Sequence, residues 1–299
     1  MPVLSPANIP TPEFISQRGP YQQDKETKTS PWICCLDYDG NLTPIVQSPE
    51  LAILTEEQAE FLKALQDDPS IVWAIVTGRS VEQMEGFFKP FSLQPDAICG
   101  LHGGEVYLPQ PNHWLRRPSN DLMALSDQFM DDVHAGLKQL FSTDDITSVG
   151  LALEPKKYSF ALHYRAVTDD AIGKQAHQLF DDLFIKNPRI SQAFRVQPGK
   201  RVVEIVPATF NKGEGIRFLM DNLPVISGTK HKQINSHAVT FMGDDKTDEP
   251  GFEVVNELGG VSVRVALPAH ETTQATYQVS DVDDVYELLK RWVASHQTL

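Results

Sequence analysis

Short apolar runs of strand length alternate with amphipathic segments along most of the chain. The runs Trp32–Leu36, Ile71–Val76 and Ala97–Cys99 predict buried strands. Between them, the segment Thr55–Asp67 and the segment that begins at Ser80 predict helices, because each opens with a capping-box pattern and then shows helical spacing of apolar residues. Strands that alternate with helices predict a parallel sheet with right-handed crossovers.

The pattern changes between residues 113 and 207, where helix, strand and strand occur in that order twice. The predicted segments are helices over 122–137 and 168–184, and strands over 151–153, 159–164, 193–197 and 201–206. Two adjoining strands without a crossover helix form an antiparallel hairpin. The region therefore predicts a separate, small α+β domain that is inserted into the parallel one.

After this insertion the alternation resumes and continues to the end of the chain. The predicted segments are a helix over 212–223, a strand ending at 242, a helix after 248, a strand over 261–265 and a helix over 284–293. The predicted fold is thus α/β, with a doubly wound, Rossmann-like parallel sheet and an inserted α+β domain. The core would comprise residues 31–112 and 208–299, and the insertion residues 113–207.

Composition and charge restrict the class of protein. A chain of 299 residues with 41% hydrophobic and 22% charged residues is typical of a folded, soluble protein. The formal net charge of −14 argues against nucleic acid or an anionic membrane as a partner, since both need a basic surface. An anionic small molecule would need a locally positive site. The oligomeric state is left open.

Cysteine usage and the first thirty residues bear on the compartment and on chain order. Cys34, Cys35 and Cys99 lie in apolar runs, which favours reduced core residues in a cytoplasmic protein. No stretch has the pattern of a signal peptide or the length of a membrane span. Residues 1–30 contain five prolines among polar residues and predict a flexible tail, with a docking arm as the alternative.

Two acidic turns follow predicted strands and are two hundred residues apart. Asp37 and Asp39 follow the first strand, whereas Asp244, Asp245 and Asp248 follow the strand that ends at residue 242. Carboxylates at the ends of buried strands are costly unless a positive charge lies among them. Magnesium prefers a few carboxylate oxygens, several waters and a substrate phosphate. The two turns together predict a magnesium site and phosphate chemistry.

The residues available suit phosphoryl transfer from an ester. Asp37 can attack phosphorus and form an aspartyl-phosphate, and Asp39 can protonate the leaving oxygen and later take a proton from water. Thr77 lies between a strand and a helix, where its hydroxyl and the neighbouring amides of Gly78 and Arg79 can bind phosphate. Lys212 begins a helix, a position that is mildly unfavourable for a cation without an anion nearby.

The same reasoning assigns the metal ligands. Asp37, Asp244 and the backbone carbonyl of Asp39 are predicted to bind magnesium. Asp245 and Asp248 are predicted to lie one step further out, where they orient waters and ligands.

Four segments in this order resemble the motifs of haloacid dehalogenase superfamily phosphatases. They are Leu36–Leu42, Thr77–Arg79, Asn211–Gly213 and Gly243–Glu249. Within that superfamily, the segments 100–105, 159–165 and 199–207 resemble trehalose-6-phosphate phosphatases. The likeness covers residues 32 to 294. It implies a core with an inserted cap that closes over the sugar, and the roles given above for the acids, Thr77 and Lys212. It also implies that His102, Glu105, Lys200 and Glu204 contact or position the sugar hydroxyls.

The resemblance implies a magnesium-dependent hydrolase that releases trehalose and phosphate, as the last step of trehalose biosynthesis. A phosphatase of another glycosyl phosphate is the near alternative, for example of glucosylglycerol phosphate, mannosyl-3-phosphoglycerate or sucrose phosphate. A regulator with a decayed site is disfavoured by the complete set of acids. Asn41 departs from the family pattern, which has threonine there, although asparagine also donates and accepts hydrogen bonds.

Overall fold

The computed structural model describes residues 5–10, 31–46, 48–199, 201–226, 238–268 and 271–296. Contacts between Cα atoms divide the chain into two compact units. One unit comprises residues 1–117 and 211–299, and the other comprises residues 118–210.

The first unit alternates strands and helices up to its edge hairpin. In chain order its elements are β1 (Trp32–Leu36), α1 (Glu56–Asp67), β2 (Ile71–Val76), α2 (Val81–Phe88), β3 (Ala97–Gly100), β4 (Glu105–Leu108) and β5 (His113–Arg116). Both predicted capping boxes are present: Thr55 exchanges hydrogen bonds with Gln58 before α1, and Ser80 with Gln83 before α2.

The second unit contains helix, strand, strand twice, with one further short helix. Its elements are α3 (Asn120–Phe141), β6 (Ala152–Pro155), β7 (Phe160–His163), α4 (Asp170–Lys186), α5 (Pro188–Ala193), β8 (Phe194–Gly199) and β9 (Val202–Pro207). The strands form an antiparallel sheet of order β6-β7-β9-β8. Its core contains the rings of Phe129, Phe160 and Phe180, which lie 5.6 to 5.8 Å apart. These rings join α3 and α4 to one face of the sheet.

After residue 210 the chain returns to the first unit. The remaining elements are α6 (Lys212–Asp221), α7 (Leu223–Ile226), β10 (Ala238–Gly243), α8 (Glu249–Glu257), β11 (Val261–Val265), β12 (Tyr277–Val279) and α9 (Val282–His296). The sheet of this unit has the order β12-β11-β10-β1-β2-β3-β4-β5. Its first six strands run parallel, β4 is antiparallel to β3, and β5 is antiparallel to β4. The predicted α/β fold with a parallel sheet is confirmed.

Helices cover both faces of this sheet. Neighbouring residues of β1 belong to different cores: Cys34 packs with α1, α2 and α9, and Cys35 packs with α6, α7 and α8. On the first face, the rings of Trp32 and Trp292 meet edge to face with centroids 5.6 Å apart. A parallel sheet that is buried on both faces is doubly wound, as predicted.

The edge hairpin was not predicted from the sequence. We expected the insertion to begin at residue 113, but His113 pairs with Leu108 and Trp114 with Tyr107, which adds β5 to the sheet of the first unit. The Tyr107 and Trp114 rings lie 5.0 Å apart. An edge strand needs no fully apolar run, because one of its sides lacks a neighbouring strand. The sequence pattern therefore gave no sign of it.

Part of the predicted tail packs against the core. Ile9 is buried, and its carbonyl accepts a hydrogen bond from Arg291 of α9. The other residues of the predicted tail, 1–4 and 11–30, lie outside the described residues.

The three cysteines are free and buried, as expected. The pKa of the Cys35 thiol rises to about 12 because of burial and, to a smaller extent, repulsion from Cys99, and burial raises the pKa of the Cys99 thiol to about 12. They are inert core residues. Over the described ranges, no helix combines the length and the apolar character that crossing a membrane requires.

Candidate active site

Three neighbouring strands bring the predicted catalytic residues to one edge of the sheet. Strands β10, β1 and β2 are adjacent and parallel. Asp244 follows β10, Asp37 follows β1 and Thr77 follows β2. Since the carboxyl ends of parallel strands meet at the same edge, residues far apart in the sequence become neighbours there.

Lys212 joins the two acidic turns. Its ammonium group donates hydrogen bonds to Asp37 Oδ2 at 2.7 Å and to Asp248 Oδ1 at 2.6 Å. The lysine is 2% exposed and Asp248 is fully buried. Burial lowers the pKa of Lys212, but the carboxylates of Asp248 and Asp37 outweigh it and raise the pKa above its ordinary value. Lys212 is therefore a permanent buried cation.

Asp37, Asp244 and Asp248 form a cluster suited to a cation. One carboxylate oxygen from each lies within 4.8 Å of the others. Asp248 uses both oxygens within the protein, because Oδ1 accepts from Lys212 and Oδ2 accepts from the Asp245 amide at 3.0 Å. The carboxylate of Asp244 accepts no hydrogen bond from the part of the chain that the structure describes. An all-oxygen set with a free carboxylate fits magnesium.

The charges of this cluster are not balanced by the protein alone. Burial, followed by repulsion from Asp245 and Asp248, raises the pKa of Asp244 to about 7. Burial also raises the pKa of Asp37 above its ordinary value, although Lys212 opposes this. A divalent cation at this cluster would supply the positive charge that stabilises both carboxylates in their ionised form.

Gly40 makes room for Asp244. Gly40 has a φ of +70°, and a Cβ atom there would lie 2.1 Å from Asp244 Oδ2. Both the backbone conformation and the space exclude any other residue without a shift. The glycine of the first turn thus lets the carboxylate of the second turn approach the backbone beside Asp39.

Asp39 and Arg79 form a bidentate ion pair. Arg79 Nε donates to Asp39 Oδ2 at 2.7 Å, and Nη2 donates to Oδ1 at 2.6 Å. The guanidinium lies over the rings of Phe87 at 4.7 Å and Tyr38 at 5.5 Å. The sequence predicted Arg79 among the phosphate contacts. In this structure its side chain holds the proposed acid, and the binding of phosphate by Arg79 stays a prediction.

Asn41 supports the carbonyl of the predicted nucleophile. The side chain is fully buried, and Nδ2 donates to the backbone oxygen of Asp37 at 3.0 Å. Its Oδ1 has no hydrogen-bond partner among the described residues. The departure from threonine therefore keeps a role in shaping the first acidic turn.

The turn after β2 packs against His102. A Cβ atom on Gly78 would lie 2.6 Å from His102 Cε1, so the imidazole lies directly against this glycine. The Thr77 carbonyl accepts a hydrogen bond from the His102 amide at 2.9 Å. Leu101 and His102 both have positive φ, of 49° and 52°. Strained non-glycine residues of this kind are concentrated at functional sites.

The remaining predicted sugar contacts have different surroundings. Glu105 is fully buried, and its Oε2 accepts a hydrogen bond from the amide of Val81 at the start of α2 at 3.0 Å. This contact supports the start of α2, and the role of Glu105 in contacting or positioning the sugar hydroxyls stays a prediction.

Glu204 lies in the second unit and is half-buried. It pairs with Lys156 at 2.8 Å and accepts a hydrogen bond from Ser159 at 3.3 Å. Lys200 lies outside the described residues.

Two contacts of the second acidic turn were not predicted from the sequence. The ion pair between Asp248 and Lys212 is one, and it is compatible with the outer position predicted for Asp248. Arg264 was not selected, yet it is 2% exposed and donates a hydrogen bond to the backbone carbonyl of Asp245. A charged residue within the apolar run Val261–Val265, next to the strand of the second acidic turn, was the available sign.

Comparisons with known proteins agree with one another. Residues 35–283 match the family described as Trehalose-phosphatase. The chain is 32% identical over 260 residues to the trehalose-6-phosphate phosphatase of Escherichia coli (strain K12), covering 85% of this chain and 84% of that protein.

Solved structures are similar over nearly the whole chain. One is the C-terminal domain of the trehalose-6-phosphate phosphatase of C. albicans, with a TM-score of 0.69 at 22% identity, covering 98% of this chain and 99% of the other. Another is the trehalose-6-phosphate phosphatase of Aspergillus fumigatus, with a TM-score of 0.66 at 22% identity and 99% coverage of both chains.

Proposed function

The chain belongs to the trehalose-phosphatase family, with the haloacid dehalogenase type of fold, and on that premise we propose that it hydrolyses trehalose 6-phosphate to trehalose and phosphate. The observation that carries the proposal is the position of Asp37. It lies at the carboxyl end of a central strand, and the Lys212 ammonium and the Tyr38 amide bind its two oxygens at 2.7 Å each. Such bonds fix the orientation of the carboxylate before a substrate arrives.

The reaction proceeds in two steps. An Asp37 oxygen forms a bond to phosphorus while the bond between phosphorus and the sugar oxygen breaks, and Asp39 gives its proton to that oxygen. A water molecule then attacks phosphorus, Asp39 takes one of its protons, and the bond between Asp37 and phosphorus breaks. Thr77 and its neighbouring amides bind phosphate oxygens. The positive charge of Lys212 offsets the charge of the phosphoryl group.

Magnesium would balance the negative charge of Asp37 and Asp244. Asp37 and Asp244 would hold it, together with the backbone carbonyl of Asp39. When bound, magnesium neutralises charge on the phosphoryl oxygens in the transition state. Asp248 is fully buried and binds the Lys212 ammonium at 2.6 Å, and we assign it to positioning this lysine.

Selectivity for the sugar is proposed to depend on Lys200 and Glu204 of the insertion and on His102. A disaccharide has many hydroxyl groups, and a site built to bind them rejects a sugar that leaves its polar groups unpaired. The three free, buried thiols support a cytoplasmic location.

Phosphate release across a panel of glycosyl phosphates tests the proposal. The panel contains trehalose 6-phosphate, sucrose phosphate, glucosylglycerol phosphate and mannosyl-3-phosphoglycerate, each with magnesium and with a chelator. We expect trehalose 6-phosphate to have the highest kcat/KM and the chelator to abolish release. A higher kcat/KM for another glycosyl phosphate of the panel would change the assigned substrate but not the proposed reaction. Full activity in metal-free buffer would refute the scheme.

A further inference from the structure

Arg264 is a buried cation next to the second acidic turn, and the reaction scheme does not use it. It lies on β11, where its Cα is the register partner of Gly243 at the end of β10. All five residues of β11 are buried, and Arg264 is 2% exposed. A guanidinium at such a position is costly unless its hydrogen bonds and its charge are satisfied.

The guanidinium of Arg264 joins three segments of the chain. Nη1 donates a hydrogen bond to the backbone carbonyl of Asp245 and lies 3.6 Å from Glu249 Oε1. Nη2 lies 3.5 Å from Glu271 Oε2. The acidic turn, the first residue of α8 and the segment before β12 therefore meet at one side chain.

The contact with the Asp245 carbonyl lies next to the cation cluster. Asp245 directly follows Asp244, whose carboxylate belongs to the cation cluster. The amide of Asp245 donates to Asp248, and the Asp245 side chain accepts from the Thr247 amide at 2.7 Å. The Asp245 carbonyl lies in the peptide between residues 245 and 246, and the Asp245 amide lies in the peptide between residues 244 and 245. Arg264 and Asp248 thus hold Asp245 on both sides, directly after the Asp244 ligand.

We propose that Arg264 is a positioning residue for the cation site: it holds the acidic turn in the shape that magnesium binding requires. The inference rests on the proposed magnesium dependence. Arg264 does not contact the reacting atoms, and it acts through the backbone of Asp245. Groups that orient the ligands of a metal in this way typically affect metal affinity about 10- to 100-fold.

Removing Arg264 should change magnesium affinity in one direction if the residue acts through its charge, and in the other direction if it holds the acidic turn. A cation close to the site repels magnesium, so if Arg264 acted only through its charge, its removal would tighten binding. Glu249 and Glu271 already offset that charge. If Arg264 instead holds the turn, its removal frees the Asp245 carbonyl and weakens binding. The sign of the change decides between the two.

The test is a calorimetric magnesium titration of metal-free protein without substrate. We expect Arg264→Met to weaken magnesium affinity by about tenfold or more. Arg264→Lys should weaken it less, because lysine can still donate a hydrogen bond to the Asp245 carbonyl although it loses the planar fork. Arg217→Met is the matched control: Arg217 is exposed, pairs with Glu257 and Glu214, and should leave affinity unchanged. Unchanged or tighter binding by Arg264→Met would overturn the proposal.

A second measurement is needed if Arg264→Met does not fold or if the wild-type protein binds no magnesium, because the titration then gives no comparison. Amide hydrogen exchange over residues 244–249 is measured in metal-free Arg264→Lys and wild-type protein, with an unrelated helix such as α1 as reference. Faster exchange confined to residues 244–249 supports the proposal, and equal protection overturns it. Neither experiment uses a sugar phosphate, so a wrong substrate assignment would not affect the result.

Discussion

The Arg79 guanidinium holds the Asp39 carboxylate through two parallel hydrogen bonds of 2.7 and 2.6 Å. The two partners differ in exposure, with 8% for the Arg79 side chain and 36% for that of Asp39. The arginine lies over the rings of Tyr38 and Phe87 and is the more buried partner, so we take it as the fixed partner that directs the aspartate. This pairing makes the direction of the proposed acid dependent on Arg79.

The first prediction follows from that pairing. Arg79→Met should lower kcat/KM for trehalose 6-phosphate by about ten- to a hundredfold, and by less for aryl phosphates, whose leaving group needs little protonation. The measurement is kcat/KM for a series of phosphate monoesters with leaving groups of increasing acidity. The double variant with Asp39→Asn should lose little beyond Asp39→Asn alone. An equal loss for all esters would instead identify Arg79 as a phosphate ligand.

The second prediction concerns the nucleophile. Asp37→Asn should abolish turnover while the protein remains folded, because an amide cannot attack phosphorus and is a poorer metal ligand. The loss should reach several powers of ten, on the order of 4 kcal/mol or more in the activation free energy. Single-turnover phosphate release measures it, and circular dichroism checks the fold. Undiminished release by purified Asp37→Asn, with contaminating phosphatase excluded, would remove Asp37 from this role.

The third prediction uses the raised pKa of Asp244. Its ordinary pKa of 3.8 rises to about 7 in the metal-free fold, so the folded state keeps a proton that the unfolded state loses over this range. The contribution of Asp244 to stability is therefore greatest at low pH and falls as pH rises from about 4 to about 7. Metal-free Asp244→Asn should equal the wild type near pH 4 and exceed it above pH 7.

Thermal unfolding measures this difference, which should be on the order of 1 kcal/mol or more. Magnesium should raise the Tm of the wild type at pH 7.5 and have little effect on Asp244→Asn, since the variant lacks the ligand. A pH-independent difference between the two proteins would show that Asp244 is not protonated in the metal-free fold.

The fourth prediction compares two glycines. Gly40→Ala introduces a Cβ atom 2.1 Å from Asp244 Oδ2 at a φ of +70°, so either the turn or the carboxylate must move. Magnesium affinity and activity should both fall by about tenfold or more. Gly86→Ala is the control: it lies in α2 with no atom within 4 Å of the added Cβ, and should stabilise the helix by about 0.5 kcal/mol or more. Unchanged magnesium affinity in Gly40→Ala would contradict the close approach.

The fifth prediction concerns sugar selectivity. Glu204→Gln should lower kcat/KM for trehalose 6-phosphate much more than for a small aryl phosphate, which has no sugar hydroxyls to bind. Asp170→Asn is the control in the same unit, since Asp170 is 80% exposed and pairs only with Arg201 among the described contacts. Lys200→Ala should behave like Glu204→Gln. If both substrates lost the same factor, Glu204 would serve folding rather than recognition.

The apolar pattern was sufficient for the alternating elements of the parallel sheet except its short edge strand β12, which was not predicted. Strands β1 and β2 are fully buried apolar runs, and the helix that follows each of them begins with a local capping box, so each element is defined by its own few residues. The hairpin of β4 and β5 was missed because its second strand is half-exposed and gains its stability from pairing. The packing of Ile9 against α9 could not be predicted from the sequence either, since its hydrogen-bond partner Arg291 is 282 residues away along the chain.

The sequence by itself determined the alternation of elements, the inserted α+β segment and the residue types of the site: two acidic turns, a threonine and a lysine. These features are local, because hydrophobic periodicity, capping and turn chemistry depend on residues close in the chain. Only the tertiary structure decided which atoms meet. It paired Lys212 with Asp248 and Arg79 with Asp39. It also brought Glu105 to the amide at the start of α2, and Arg264 to the Asp245 carbonyl of the second acidic turn. Ion pairs and hydrogen bonds act over a few ångströms, and those distances depend on the register of neighbouring strands rather than on sequence spacing.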